Sequence, residues 1–298
     1  MILHIGLFFY NHNDYVNIIF EDIKALLLKL GVYDNLRISV YDDGSSDATA
    51  SRILEQVNDL KIPIELTLST ENKGVKFRLD EFVRSTKNDE VVLFVAGDDG
   101  IIIDGLIEAW KSLQNSNIDV LICNAWRIRG DDRFQTHPNQ WPYSLINRSP
   151  LDFHYFLTCY YPRPLLVQAT LFRASALKSI DPFKWNSVLD DWPLFLKLFS
   201  NSISIKFAND IYISNYVYNP QSVSASQERI LCLVDEASIE NSLNKIWGPR
   251  SLVRFRRLVS SLKNGVFNYK SMALLFDIRS LVGLIMEIYY KCRSTLKY

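Results

Sequence analysis

Between Ile2 and Ala125 five short apolar, β-branched runs alternate with four longer segments whose apolar residues recur at helical spacing. The strand-like runs are Ile2–Tyr10, Arg37–Tyr41, Ile64–Ser69, Glu90–Ala96 and Asp119–Ala125. The helix-like segments are Tyr15–Leu30, Ala48–Leu60, Lys76–Ser85 and Ile103–Leu113. Few folds accept that order. A strand followed by a helix and a further strand forms a crossover, and repeated crossovers build a parallel sheet with helices on its faces. The run EVVLFVA at 90–96 is apolar after its first residue, as required of a central strand covered on both sides. The expected fold class is therefore α/β, with a doubly wound parallel sheet. Ligands bind such sheets at the carboxyl ends of the strands. Four loops lie at that edge: FFYNHND, YDDGSSD, STENKG and AGDDG.

Two of these loops carry adjacent aspartates, Asp42–Asp43 and Asp98–Asp99. Like charges that close repel unless a cation, a hydrogen-bond donor or water intervenes. D-D-G is also ordinary turn chemistry, so one such loop is explained equally well as a solvated turn. The alternative is a hard divalent cation, which prefers oxygen ligands and stabilises charge on a departing diphosphate. A second D-D-G on a neighbouring strand end favours that alternative.

Composition closes off other classes. Thirty-three basic side chains are balanced by thirty-three acidic ones, so no global field points to nucleic acid. Cys123, Cys159, Cys232 and Cys292 form no CxxC pair, and reduced thiols in a cytoplasmic protein are expected rather than a metal cluster or disulfide framework. His12, His137 and His154 lack metal-ligand spacing and are expected to be structural or on the surface. The apolar start is broken by His4, Asn11 and Asp14 and reads as a first strand, not an export signal. No run approaches the roughly 18 to 20 apolar residues of a membrane span.

Beyond Trp126 the pattern loosens. Leu165–Ala174 and Ser204–Tyr218 read as strands around a helix that starts near Asp190, and from Ser224 the chain reads as helical. From Arg250 onward ten basic residues are opposed only by Asp277 and Glu287, with aromatic residues interleaved. Such a tail either lies on an anionic membrane surface or packs as helices with solvated basic faces.

Four segments in order, LHIGLFFYNHNDYV, VYDDGSSD, ENKGVKFR and LFVAGDDGIIIDGL, resemble the motifs of the family 2 glycosyltransferases. These are inverting enzymes with the GT-A fold, a Rossmann-like, mostly parallel sheet flanked by helices. A fifth segment, LDDWPLFLKL at 189–198, resembles the family's acidic pair opening a helix on the acceptor side. The resemblance implies a nucleotide-sugar-binding subdomain over 1–125, an acceptor-binding subdomain over 126–223 and a helical C-terminal extension over 224–298. It implies that Phe8 and Tyr10 lie beside the nucleotide base and that Asp42 accepts a hydrogen bond from base or ribose. Asp43 would be its neighbour, oriented by the turn at Gly44. A carboxylate suits the N–H donors of a base edge.

Lys76 and Arg78 would supply positive charge to the diphosphate, although two solvated helix charges read the same way from sequence. Asp98 would hold Mg2+ or Mn2+, with Asp99 next to the sugar or the metal. Where the family commonly has an aspartate two positions before Asp98, this chain has Ala96. One carboxylate completed by diphosphate and water still holds Mg2+, which keeps several waters. An inverting transfer needs a carboxylate to take the acceptor's proton. By resemblance that base is Asp191, with Asp190 as its partner; as residues alone, both also suit a helix N-terminus with Pro193 in its first turn.

The implied reaction moves a sugar from a nucleoside-diphosphate sugar to a hydroxyl of a glycan or lipid-linked saccharide. The implied setting is cytoplasmic, or peripheral at the inner face of the membrane, in assembly of a bacterial surface polysaccharide such as O-antigen lipopolysaccharide, capsule or exopolysaccharide. A sugar nucleotidyltransferase would ordinarily show a glycine- and basic-rich loop after the first strand, and FFYNHND is neither. A non-catalytic binder of nucleotide-sugar or carbohydrate is the other alternative, suggested by Ala96.

Overall fold

The computed structural model of the chain describes residues 1–31, 35–60, 62–137, 143–151, 153–154, 165–184, 191–201 and 203–217. Its strands are β1 (Leu3–Phe9), β2 (Leu36–Asp42), β3 (Ile64–Leu68), β4 (Val91–Ala96), β5 (Gly100–Ile101), β6 (Val120–Arg129), β7 (Asp132–Gln135), β8 (Thr170–Arg173) and β9 (Ile205–Val217). Its helices are α1 (Val16–Leu30), α2 (Thr49–Leu60), α3 (Val75–Ser85), α4 (Ile103–Gln114), α5 (Leu145–Arg148), α6 (Ala174–Ser179) and α7 (Asp191–Ser200). The chain forms two compact units. One comprises Met1–Asn139, Leu165–Lys184 and Asn201–Pro220; the other comprises Gln140–Pro164, Trp185–Ser200 and Gln221–Tyr298. The basic C-terminal segment expected to be helical lies outside the described residues.

The first unit holds the sheet, in the order β3-β2-β1-β4-β8-β6-β9-β5, with β7 paired to β6. β3, β2, β1 and β4 are parallel neighbours. The chain leaves β1 towards β2 and β3, then returns on the other side of β1 for β4. The strand order therefore reverses between β1 and β4, where doubly wound sheets bind ligands. Register brings these ends level: Phe8 stands beside both Tyr41 and Ala96, and Phe9 beside Asp42.

The second half departs from a purely parallel sheet. β6 does not pair with β4; β8 lies between them, antiparallel to both. β6 then runs parallel to β9, and β7 folds back on it. Because β8 is antiparallel to both neighbours, β6 still points the same way as β4. The carboxyl ends of β1, β2, β3, β4, β6 and β9 thus share one edge, and β5, β7 and β8 run the other way.

All seven residues of β1 are buried, which is why its sequence shows no polar face. Leu3, Ile5, Leu7 and Phe9 enter the main core with α1 and α4. On the opposite pleat, Phe8 stacks on Tyr41 at 5.4 Å within an aromatic layer that includes Phe82, Phe94, Phe172 and Phe183. His4, on the same pleat, is fully buried between Glu90 (3.0 Å) and Ser39 (2.8 Å). In the second unit, Phe153 packs against Tyr143 and against Phe199 of α7.

His137 is also structural. Its ring is fully buried; Nδ1 donates to the Cys123 carbonyl at 3.0 Å and Nε2 accepts from the Leu166 N–H at 3.3 Å. Burial pushes its pKa down to about 4. The unfolded chain therefore binds a proton that the folded chain refuses, and stability falls as pH drops from the unfolded value near 6.5 towards 4. The loss expected across that window is about 3 kcal/mol. Burial also lowers the pKa of His4, which adds a loss of the same sign. Urea unfolding at pH 7 and pH 4.5 checks this. A His137→Gln variant with the same pH dependence as the parent would show that His137 is not the source.

Candidate active site

The loop after β2 shows how two adjacent carboxylates coexist. Asp42 and Asp43 are both buried, and each is met by its own donors. Asp42 accepts from the Ser45 N–H at 3.0 Å and from the Ser45 hydroxyl. Asp43 turns towards α3, where it accepts from the Lys73 N–H (3.0 Å), the Gly74 N–H (2.7 Å) and Arg78 Nε (2.8 Å). Its own N–H donates to the Phe9 carbonyl at 2.9 Å, extending the β1–β2 ladder by a residue. Asp43 therefore ties the start of α3 to the end of β2. Gly44 makes this possible with φ of 74°. A Cβ there would stand 2.7 Å from the Glu71 carbonyl carbon, in the neighbouring loop.

Arg78 is only 3% exposed and is engaged by Asp43 and, through Nη1, by Glu81 at 2.8 Å. Its Nη2 is buried and makes no hydrogen bond among the described residues. Lys76, two residues earlier on α3, is half-buried.

The two aspartates after β4 also diverge. Asp99 is buried: Oδ1 accepts from the Val217 N–H at 3.0 Å and Oδ2 from Gln168 Nε2 at 2.9 Å. Burial, and then the neighbouring Asp98, push its carboxyl well above the usual range. Asp99 thus fastens the end of β9 and the 3-10 turn Val167–Ala169 to the β4 loop. Asp98 is half-buried, and its Oδ2 lies 3.7 Å from His12 Nε2. Gly97 admits that neighbour, because a Cβ would stand 2.3 Å from Phe9 Cδ1 and 2.7 Å from His12 Nδ1.

The loop after β1 completes the edge. Asn11, with φ of 55°, is hydrogen-bonded to Ser45 and Ser46, and the His12 N–H donates to Thr49 Oγ1 at 2.9 Å. Tyr10 is 45% exposed, whereas Phe8 at 7% belongs to the aromatic layer. Burial lowers the His12 pKa against the opposing pull of Asp98, Asp47 and Asp42. Phe8, Tyr10, Asp42, Asp43, Arg78, Asp98 and Asp99 thus gather at one edge of the first unit. Asp191 stands in the first turn of α7 in the second unit. Asp190 lies outside the described residues.

Sequence reasoning places His12 as structural or on the surface and does not reach Gln168. His12 had a signal, since it sits in one of the four edge loops; Gln168 had none, arriving from a turn 69 residues beyond its partner.

For a divalent cation the described residues offer a hard oxygen donor in Asp98. No group of three or more His, Cys, Asp or Glu side chains gathers among them. The donor set fits a cation completed by diphosphate and water rather than one caged by protein.

Comparison with known proteins gives the same direction. Residues 5–179 match the model of Glycosyl transferase family 2. No curated protein sequence matches the chain. Among solved structures it is similar to S. aureus TarS 1–349, with 17% identity and a TM-score of 0.63 over 92% of this chain and 78% of that one. It is similar to the same TarS fragment in complex with UDP-GlcNAc, at 16% identity and a TM-score of 0.63 over 88% and 73%. It is also similar to the mannosyltransferase PcManGT from Pyrobaculum calidifontis in complex with GDP-Man and Mn2+, at 14% identity and a TM-score of 0.58 over 98% and 83%. At these identities the likeness is one of fold, the mixed α/β GT-A architecture. The family model, matched over more than half of the chain and across every loop of the site, shows that this protein belongs to glycosyl transferase family 2.

Proposed function

We propose that the protein is an inverting transferase that moves a sugar from a nucleoside-diphosphate sugar to a hydroxyl of a glycan or lipid-linked saccharide. The observation that carries this reading is the meeting of the Asp42 and Asp98 loops with the exposed Tyr10 ring, at the point where the strand order reverses. In this reading Tyr10 lies against the base and Asp42 accepts from a base N–H or a ribose hydroxyl. Asp43 holds the loop that opens α3, and the unpartnered Arg78 Nη2, with Lys76, is directed to the diphosphate. Asp98 holds Mg2+ or Mn2+, and a cation bound there would supply positive charge to the departing diphosphate. Asp99 keeps the loop that carries Asp98 in place.

The acceptor oxygen attacks the anomeric carbon from the side opposite the diphosphate. The bond to the new oxygen forms as the bond to the diphosphate breaks, its electron pair leaving with the diphosphate. Asp191, with Asp190 beside it, takes the acceptor's proton. A surface-polysaccharide pathway and an acceptor presented at the cytoplasmic face of a membrane complete the proposal. No helix among the described residues is long and apolar enough to cross a membrane. The basic C-terminal segment is the proposed peripheral contact.

The structures similar to this one were solved with UDP-GlcNAc and with GDP-Man and Mn2+, so UDP and GDP are the first nucleotides to test. Binding to the folded state raises the melting temperature by mass action. At a hundredfold excess over Kd one nucleoside diphosphate is expected to raise Tm by about 5 °C or more, and more with Mn2+ than without. No shift with any nucleoside diphosphate or sugar nucleotide would remove the donor site from this reading.

A further inference from the structure

His12 has no place in the chemistry so far, yet its ring is held 3.7 Å from the Asp98 carboxylate. Four features hold its ring there. The His12 N–H donates to Thr49 Oγ1 at 2.9 Å, and its carbonyl accepts from the Tyr15 N–H at 2.9 Å. The ring meets Phe9 and Tyr15 edge-on at 6.4 and 6.1 Å. Gly97 supplies no Cβ where one would press on Nδ1 at 2.7 Å. A ring fixed from that many sides is aimed.

It is aimed at the Asp98 carboxylate but does not reach it. Nε2 and Oδ2 are 3.7 Å apart, beyond a hydrogen bond. Two ligands of one divalent ion, each at about 2.1 Å from it, stand roughly 3.0 to 3.6 Å apart at ordinary ligand angles. The observed gap matches that spacing to within a few tenths of an ångström. Both side chains keep a window to solvent, with exposures of 18% and 14%. Nδ1 is buried without a hydrogen bond among the described residues, so a metal on Nε2 would leave the Nδ1–H without an acceptor there, a cost the metal bond has to offset. Asp42 and Asp47 add negative potential at the ring.

We infer that His12 Nε2 and Asp98 Oδ2 are a nitrogen–carboxylate ligand pair for the site's divalent cation, His12 standing in for the carboxylate that Ala96 lacks. This rests on the reading of Asp98 as the cation-holding residue. Its consequence is metal preference. An imidazole nitrogen favours transition-metal ions over Mg2+, which binds oxygen donors and water. The site therefore discriminates for Mn2+ over Mg2+ more strongly than a site of carboxylate, diphosphate and water alone.

The test uses the full chain with Mn2+ or Mg2+ and either UDP or GDP. Pulsed electron paramagnetic resonance of the Mn2+ complex is expected to show coupling to a nitrogen of an imidazole. That coupling disappears in His12→Gln. Calorimetric titration is expected to show Mn2+ affinity falling about 10- to 100-fold in His12→Ala and His12→Gln, with Mg2+ affinity changing about threefold or less. The melting temperature of each metal-free variant, close to that of the parent, separates ligand loss from unfolding, and the spectroscopy of the parent needs no variant.

Mn2+ bound in an Asp98-dependent way without nitrogen coupling overturns the pair while leaving Asp98 its role. So does Mn2+ affinity unchanged in both His12 variants. A parent protein that takes up no Mn2+ with either nucleotide overturns both the pair and the reading of Asp98 on which it rests.

Discussion

Replacing Asp98 by asparagine is expected to lower kcat/KM for sugar transfer by about 10²- to 10³-fold, the usual cost of removing one electrostatic contact to a developing charge. The substitution keeps shape and removes one negative charge at the end of β4. Stability is expected to change by about 0.5 kcal/mol or less, because the residue is half-buried at the sheet edge. The contrast with its neighbour gives the prediction its force. Asp99 is buried with both carboxylate oxygens engaged, by Gln168 and by the Val217 N–H. The Asp98 side chain keeps 14% exposure to solvent. Initial rates of nucleoside diphosphate release, with urea midpoints for parent and variant, check both halves. Activity within threefold of the parent would remove Asp98 from the transfer step.

The second large effect is on stability. Asp43→Ala is expected to cost about 3 to 5 kcal/mol, the range for removing one partner of a buried ion pair. Three donors lose Asp43 as an acceptor, the Lys73 N–H, the Gly74 N–H and Arg78 Nε, and of these the Gly74 N–H keeps Asn72 Oδ1 at 2.9 Å. The Arg78 side chain is 4% exposed, so among the described residues its guanidinium would keep only Glu81 as a charged partner. Because the loss is one of pairing, Arg78→Met in the Asp43→Ala background should recover part of it. The coupling of the two sites is then expected to exceed about 1 kcal/mol. Urea unfolding of the two single variants and the double variant measures that coupling. A cost of Asp43→Ala below about 1 kcal/mol, or strictly additive variants, would show that this pair does not hold α3 to β2.

These two aspartates were equivalent in sequence, each one half of a D-D-G loop. The loops themselves were legible because a buried parallel strand must be apolar on both faces and must end in a polar turn. Leu3–Phe9 and Val91–Ala96 carry that pattern within a few residues, and the helices between them carry theirs. The four-residue strand β8 was not legible as the neighbour of β4, since a run that short has no periodicity to show where it pairs. The neighbour of His12 is not legible in its spacing along the chain, which says nothing of a side chain on another strand end. The distance from His12 to Asp98 depends on β1 and β4 being neighbours in register and on Gly97 lacking a Cβ.

The sequence by itself determined the α/β class, the order of the elements in the first 125 residues apart from the two-residue β5, the polar edge and the family, because each rests on local burial and turn chemistry. Only the tertiary structure decided what each carboxylate does. Asp43 and Asp99 became struts because the donors that bind them come from α3, the 167–169 turn and β9. Those elements lie far along the chain and reach the edge only once the sheet is assembled. A buried carboxylate must find donors wherever packing brings them, and no pattern confined to its own loop records where that is.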